Sequence, residues 1–443
     1  MNTPIFDFIE KYNQSNASRL HMPGHKGKSF LGAEKYDITE IDGADVLYSP
    51  DGIIEESENN ASSLFGTRHS FYSTEGSSLC IRAMVYLACF GKEKPLILAQ
   101  RNVHKAFIYA AALSDCEVKW IFEESSAHLC SCRITAEDVK KALSESEQKP
   151  AAVYLTSPDY LGNMLDIESI SKVCNSYDVP LIVDNAHGAY LNFLPENQHP
   201  IKLGASMCCD SAHKTLPVLT GGAYLHISEN APESFYENAR TALSLFASTS
   251  PSYLILQSLD LCNTYLAADY KSNLLRALRK TEDLKDFLTR RGFTLEGNEK
   301  LKITIFPLSY GYTGYELSEI LKSYNIYCEF YDRNYLVMMF SSETDDSDFE
   351  KIKKAFSFVE VREALETEIP ETENTPRQVL SIRKAIFSPS ETIPVSECVG
   401  RICATPTVSC PPAIPVAVSG EIITEKTAKA FAYYGIDKIR VVK

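Results

Sequence analysis

The chain has 443 residues, of which 44% are hydrophobic, and it carries a formal net charge of −14 at pH 7. This length predicts two or three domains, and the acidic balance argues against a nucleic-acid partner, because binding phosphates requires a basic surface. We expect no membrane span, since no stretch approaches the roughly 18 apolar residues that one requires, and no signal or transit peptide.

The first two-thirds of the chain alternate between short apolar runs and amphipathic stretches. The runs that predict strands are 95–99, 117–122, 151–157, 180–186, 206–211 and 222–227. Stretches such as "TAEDVKKALSESE" and "IESISKVCNSYD" predict helices between them. This alternation predicts an α/β fold with a mainly parallel sheet sandwiched by helices, in which ligands bind at the carboxyl ends of strands.

The pattern changes from about residue 255, where one or two long helices are predicted, followed by a small antiparallel sheet with helices. An acidic, Pro/Thr-rich segment then precedes a last module. The predicted organisation is a major domain with an N-terminal arm at 1–290, a small α+β domain at 291–363, a linker at 364–378 and a C-terminal domain at 379–443.

The thirteen cysteines are scattered and none lies in a CxxC motif. This pattern supports neither a zinc ribbon nor a thioredoxin-type motif, and it favours reduced thiols in a cytoplasmic protein. We expect no metal site. His21 and His25 have metal-like spacing, but Pro23 and Gly24 between them exclude the helix that would align the two rings.

Two charged residues follow predicted strands. Asp184 comes at the end of "LIVDNA", where burying a carboxylate is costly unless a cation or several donors meet it. Lys214 follows the strand-like "SMCCDS". An amine and a carboxylate at neighbouring strand ends are what pyridoxal phosphate requires: a lysine for its aldehyde and a carboxylate that keeps its ring nitrogen protonated.

A phosphate cradle is predicted nearby in the sequence. Gly76, Ser77 and Ser78 stand where an apolar helix begins, and free N–H groups with small hydroxyls at a helix N-terminus bind phosphate well. Ser211 and His213 flank Lys214 and could add donors. Each piece also has an ordinary interpretation: a helix cap at 75–78, a capping role for Asp184, and a satisfied histidine at His104.

In combination, these motifs resemble the ornithine/lysine/arginine decarboxylases, which are fold-type I pyridoxal-phosphate enzymes. The stretches that carry the resemblance are "LHMPGHKG" (20–27), "DITEIDGADVLYSPDGII" (37–54), "RNVHKA" (101–106), "VDNAHGAY" (183–190), "DSAHKTLP" (210–217), "STSPSYLILQSLD" (248–260), "GRICA" and "CPPAIPVAVSGEIIT". The length is similar to that of the family's short class, which lacks an N-terminal receiver-like wing. One departure is Asn185, since the family usually has glutamate there.

The resemblance implies a role for each candidate residue. Lys214 would form an imine with the cofactor and Asp184 would pair with the pyridinium nitrogen. His187 would lie near the imine, where it could orient the substrate or transfer a proton. The residues implied to hold the ring faces are His104 and Ala186, and those implied to hold the phosphate are Gly76, Ser77, Ser78, Ser211 and His213. The implied reaction is decarboxylation of arginine, lysine or ornithine to its amine by at least a homodimer.

The segment 37–58 supports a cationic substrate, because it contains eight acidic residues and no lysine or arginine. Asp45 lies in the family-like "GADVLYSP", so we predict that it binds the distal cation of the substrate; a solvated acidic loop is the alternative. Two further functions stay open. One is an aminotransferase or lyase, for which Arg333 is the candidate for holding the substrate carboxylate, and the other is a cofactor-binding protein without turnover.

Overall fold

The computed structural model describes residues 1–123, 129–131, 133–366, 376–408 and 413–443. Its helices are α1 (Pro4–Gln14), α2 (Ile53–Phe65), α3 (Gly76–Cys89), α4 (Lys105–Leu113), α5 (Ala136–Ser144), α6 (Ile167–Ser176), α7 (Ala212–Thr215), α8 (Glu233–Ser244), α9 (Tyr253–Ala267), α10 (Tyr270–Arg290), α11 (Gly314–Ser323), α12 (Asp346–Ser357), α13 (Ile382–Phe387) and α14 (Glu425–Tyr433). Its strands are β1 (His69–Ser73), β2 (Leu96–Gln100), β3 (Glu117–Ile121), β4 (Ala152–Thr156), β5 (Leu181–Asp184), β6 (Met207–Asp210), β7 (Ala223–Ile227), β8 (Thr294–Glu296), β9 (Lys302–Phe306), β10 (Phe330–Tyr331), β11 (Leu336–Met339), β12 (Ser390–Pro394), β13 (Thr407–Val408), β14 (Pro415–Ala417) and β15 (Lys438–Val442).

The chain forms two compact units, each assembled from segments that are distant in sequence. Unit 1 consists of Met1–Lys92, Ala151–Tyr154 and Ile167–Ser272. Unit 2 consists of Glu93–Pro150, Leu155–Asp166 and Asn273–Lys443.

Unit 1 is built around strands that are buried along their whole length. Strands β5 and β6 pair in parallel, with Asp184 opposite Cys209, and β7 is antiparallel to both β6 and β1. Every residue of these four strands is buried, and α3 packs against β6, β7 and α8. Strands that are buried on both faces usually have near-continuous apolar sequences. For this reason β5, β6 and β7 could be predicted from the sequence.

Unit 2 contains a parallel pair of strands, β2 and β3, and a four-stranded antiparallel sheet in the order β10-β11-β9-β8. Its C-terminal part pairs β12 with β15 and β13 with β14. A small core fills this part, formed by Ile393, Cys398, Cys403, Ala417, Ile423, Phe431, Ile439 and Val441.

The six predicted strands are found as β2 to β7, and the prediction of an α/β fold on mostly parallel strands is confirmed. Strand β1 was not predicted. The helical region after residue 255 forms two helices, α9 and α10.

The predicted domain boundaries stay predictions. The proposed linker falls partly on 367–375, and the "CPPAIP" motif falls partly on 409–412, both outside the described residues. In the part of the chain that is described, no helix combines the length and apolar character needed to cross a membrane.

Candidate functional site

Asp184 and Lys214 lie where two adjacent parallel strands end. Asp184 is the last residue of β5, and Lys214 lies in α7, the short helix that follows β6. Nζ of Lys214 is 2.9 Å from Nε2 of His187, and the charge of Lys214 also acts on Asp184. Unit 1 therefore brings together the amine, the imidazole and the carboxylate that the sequence singled out.

Asp184 is only 2% exposed. Its Oδ1 accepts from the backbone N–H of Ala186 at 3.2 Å, and its Oδ2 accepts from the hydroxyl of Tyr154 at 3.3 Å. Burial raises the pKa of Asp184, and the nearby charge of Lys214 only partly offsets this effect. A second positive group against this carboxylate would therefore stabilise its ionised form.

Asp210, one strand further along, has the opposite electrostatics although it is equally buried. Its carboxylate accepts from Nδ2 of Asn185 at 2.7 Å, from Nε2 of His199 at 3.0 Å and from Nε2 of His226 at 3.2 Å. Burial alone would raise the pKa of Asp210, but the two histidines bring it well below its usual value. Asp210 is thus satisfied within the protein, whereas Asp184 is not.

The start of α3 lies beside the residues before Lys214. The hydroxyls of Ser77 and Ser211 are 2.8 Å apart, and the N–H of Gly76 donates to the carbonyl of Gly221 at 2.7 Å. Gly76 has φ of +70°, a conformation that favours glycine, and Ser78 is half-buried. Small hydroxyls at a helix N-terminus form the kind of site that binds phosphate.

The remaining ring and phosphate candidates occupy different places. His213 has its Nδ1 3.0 Å from the carbonyl oxygen of Gly222, so that nitrogen donates a proton there. Ala186 is half-buried, two residues after Asp184. His104 belongs to unit 2, where it caps the N-terminus of α4 and its Nδ1 accepts from the N–H of Ala106 at 3.2 Å.

Asp45 has a carboxylate that is fully engaged by backbone amides. Oδ1 accepts from the N–H groups of Val46 and Asp51, and Oδ2 accepts from those of Gly52 and Ile54, at 2.7–3.1 Å. A carboxylate has about four acceptor positions, so all of them are used at the start of α2. This geometry favours a structural role over contact with a substrate cation.

Glu58, another member of the acidic segment 37–58, forms an ion pair with Arg240 of α8. Glu58 is fully buried and accepts from Nη1 of Arg240 and Nε2 of His69, each at 3.0 Å, and from the N–H of Tyr72 at 2.8 Å. One of the eight acids is therefore committed to an internal ion pair with α8.

Sequence reasoning missed the polar groups behind the strand ends. These are Tyr154 and Cys209 near Asp184, and His199 and His226 beside Asp210. The one available signal was Asp210 itself, a second carboxylate ending an apolar strand. The histidines come from distant segments, so only the tertiary structure reveals them.

Comparison with known proteins gives two family matches. The family described as "Orn/Lys/Arg decarboxylase, major domain" matches residues 3–309, and "Orn/Lys/Arg decarboxylase, C-terminal domain" matches residues 359–438. The arginine decarboxylase of Bacillus anthracis is 31% identical over 96% of this chain and 91% of its own length. The arginine decarboxylase of Bacillus subtilis is 30% identical over 96% and 92%.

Among solved structures, the lysine decarboxylase LdcF of Francisella novicida superposes with a TM-score of 0.81 at 18% identity. The superposition covers 100% of this chain and 81% of that one. At this identity the likeness establishes the fold, which agrees with the fold-type I architecture predicted from the motifs.

Proposed function

This chain belongs to the Orn/Lys/Arg decarboxylase family and is an amino-acid decarboxylase, and we propose that it removes the carboxylate of arginine, lysine or ornithine with bound pyridoxal phosphate. The observation that carries the proposal is the meeting of Lys214, His187 and Asp184 at the ends of β5 and β6. The small basic amino acid is the proposed partner, and the proposed location is cytoplasmic.

The residues present fit the cofactor. Asp184 is a buried carboxylate with a raised pKa and only weak internal donors, so a pyridinium nitrogen would supply the charge that it lacks. Gly76, Ser77, Ser78, Ser211 and His213 are proposed to hold the phosphate, and Ala186 and His104 the ring. When bound, the cofactor supplies an aldehyde that reacts with amines and a ring that accepts an electron pair.

Lys214 and His187 would manage the proton of the reaction. Loss of the carboxylate as carbon dioxide leaves a carbon that must gain one proton. The hydrogen bond between Nζ of Lys214 and Nε2 of His187 lets a proton be held by either atom, and the charge of Lys214 acts on the buried carboxylate of Asp184. A general acid is effective when it is held within hydrogen-bond reach of its acceptor, so we assign the return of the proton to this pair.

The alternative of an aminotransferase gains no support. Its candidate for holding the substrate carboxylate, Arg333, has an exposed side chain in unit 2. The sequence of a cofactor cradle alone would have left this alternative open, because the orientation of the substrate decides which bond breaks.

We further propose that two copies of the chain associate. The segment that contains "LHMPGHKG" exposes large apolar side chains: Leu20 is 93% exposed, Phe30 is 83% and Leu31 is 90%. Isolated exposed apolar residues are ordinary, but three on one short segment are typical of a surface that a partner covers. A second copy is the proposed occupant, and the resemblance to enzymes that build the site from two chains supports this choice.

The test measures carbon dioxide release from arginine, lysine and ornithine by the wild type and by Lys214→Ala. Lys172→Ala is the matched control, because Lys172 lies on the exposed surface of α6 in the same unit. We expect Lys214→Ala to lose activity and the visible absorbance of the lysine-bound cofactor, and Lys172→Ala to keep both. Cofactor bound covalently at another lysine would refute the assignment.

A further inference from the structure

A buried polar network lies behind the candidate site, centred on Asp210 at the end of β6. Asn185, His199 and His226 all donate to its carboxylate, and all four side chains are fully buried. Burying a carboxylate in this way is costly unless every donor is in place. The family assignment does not account for this network.

The strand register places the network on the face of the sheet opposite to Asp184. Side chains alternate between faces along a strand. Cys209 of β6 pairs with Asp184 of β5, so these two side chains lie on one face of the sheet. Cys208 and Asp210 flank Cys209 in β6 and lie on the other face, together with His226, the partner of Cys208 in β7. Asp210 thus reaches the site only through the strand ends, not by direct contact with a bound ring.

Asn185 connects the two faces because it follows Asp184 directly in the chain. Its backbone N–H donates to the carbonyl of Cys209 at 3.0 Å, while its side chain donates to Asp210. Gly188 leaves the necessary space, since a Cβ atom there would lie 2.0 Å from Oδ1 of Asn185. Two hydrogen bonds therefore tie the segment 184–187 to the end of β6.

The ionised carboxylate of Asp210 can only accept hydrogen bonds, so each neighbouring nitrogen that contacts it is a donor. Burial lowers the pKa of His226, so its ring is neutral near pH 7; Nε2–H donates to Asp210, and Nδ1 is 2.8 Å from the hydroxyl of Ser70. Asp210 accepts on both oxygens, from the histidines on Oδ2 and from Asn185 on Oδ1. Asn185→Asp would set two carboxylates against each other, and Asp210→Asn would remove the charged acceptor shared by Asn185 and the two histidines.

We propose that Asp210 is a positioning residue that, through Asn185, fixes the segment bearing Asp184 and His187 against the segment bearing Lys214. The inference rests on the proposed function, because it assigns the network the task of setting the separation of these groups for the cofactor. Asparagine at 185 suits this network, because a carboxylate there would face the carboxylate of Asp210.

A metal ion is the other occupant to consider, since ligand atoms of His199, Cys208 and Asp210 lie within 4.8 Å of one another. The contacts of 3.0 and 3.2 Å between the histidines and Asp210 are normal hydrogen bonds. Sγ of Cys208 is 3.9 Å from Nε2 of His199. Burial raises the pKa of the Cys208 thiol well above its usual value, so this thiol is protonated. These observations favour the hydrogen-bonded network.

The test exchanges the donor and the acceptor. Asp210→Asn removes the charge that accepts from Asn185 and from both histidines, and Asn185→Asp sets two carboxylates against each other. Combining the two substitutions restores every hydrogen bond, because the amide at 210 accepts from the histidines and donates to the carboxylate at 185. Glu58→Gln is the control for loss of a buried, histidine-bonded carboxylate in the same unit.

Apoprotein of each variant is titrated with pyridoxal phosphate, and amide hydrogen exchange is measured at Asn185 and Gly188 without cofactor. We expect each single variant to bind cofactor at least ten-fold more weakly and to exchange faster at both amides, and the double variant to return to within about three-fold of wild type. Asn185→Ala removes the donor without bringing like groups together, so we expect an intermediate loss of cofactor affinity. This variant replaces a single variant that does not fold.

Three results would overturn the inference. The single variants could match Glu58→Gln, with a lower thermal midpoint but unchanged cofactor affinity and amide exchange. The double variant could be as impaired as the worse single variant. Purified wild type could contain one equivalent of metal that these substitutions remove. A wild type that binds no pyridoxal phosphate would instead refute the proposed function, while the exchange data still test the network.

Discussion

Asp184→Asn separates the charge of this residue from its shape. The residue is 2% exposed, and its contacts with the N–H of Ala186 and the hydroxyl of Tyr154 can both be kept by an amide. The fold should therefore survive. The variant loses only the ability to hold a positive charge on the cofactor.

The expected loss follows from one charge-assisted hydrogen bond in a site with little solvent. Such a bond contributes about 1.5–3 kcal/mol, which corresponds to about a 10- to 150-fold weaker affinity for pyridoxal phosphate. Turnover should fall further, because a ring without a protonated nitrogen is a weaker electron acceptor. Equilibrium titration of the apoprotein and assays of carbon dioxide release measure the two effects separately.

Without cofactor, Asp184→Asn should make the folded protein more stable, although it weakens cofactor binding. The folded-state pKa of Asp184 is raised above its usual value of 3.8, so the stability that this group contributes is present below that pH and is lost as the pH rises through the folded-state pKa. Asparagine cannot ionise. The variant without cofactor should therefore unfold at a higher temperature than wild type near neutral pH, and the difference should shrink towards about pH 4.

Asp260→Asn is the matched control, since Asp260 is a buried carboxylate of unit 1 that accepts from the N–H groups of Ile5 and Phe6. It should leave the cofactor affinity unchanged. Normal affinity and turnover in Asp184→Asn would refute the assigned role, and an equal loss in both variants would mean that the effect is general destabilisation.

Three further outcomes are expected. Asp45→Asn should lower the thermal midpoint, because backbone amides at the start of α2 lose their charged acceptor; a higher KM for a basic amino acid at unchanged midpoint would instead support the predicted substrate role. Burial raises the pKa of Asp260 to about 6, so wild type should lose up to about 3 kcal/mol of stability as the pH rises from about 4 through 6. Asp260→Asn should not show this loss, and chemical denaturation of both proteins across this pH range measures the difference. Phe30→Ser with Leu31→Ser should shift sedimentation towards a monomer, whereas Tyr327→Ser, 78% exposed in unit 2, should not.

The sequence predicted the strands whose residues form mostly apolar runs, and it failed on β1, in which three of the buried residues are polar. Strand β1 reads "HSFYS", with polar residues at three of five positions. Ser70 is buried because it pairs with Thr67 and with His226 from β7, 156 residues away. The local pattern of apolar residues does not indicate hydrogen bonds between distant segments, so strand β1 could be found only from the tertiary structure.

Asp45 shows a different limit. The sequence displays its charge and its acidic surroundings, and these alone favour contact with a cation. The structure adds the path of the backbone: Asp45 has φ of +68°, and the amides of residues 46, 51, 52 and 54 donate to its two oxygens. A carboxylate that caps a helix and one that binds a substrate look the same in a sequence, because the difference lies in where nearby N–H groups point.

The contrast between Asp184 and Asp210 supports Asp184, rather than Asp210, as the carboxylate proposed to face the cofactor. Both end adjacent parallel strands and both are buried. Asp210 meets three strong donors and its pKa falls, whereas Asp184 meets one amide, one distant hydroxyl and a thiol at 3.6 Å, and its pKa rises. Leaving a buried carboxylate short of donors costs free energy, so the deficit at Asp184 supports the proposal that the pyridinium nitrogen of the cofactor pairs with it.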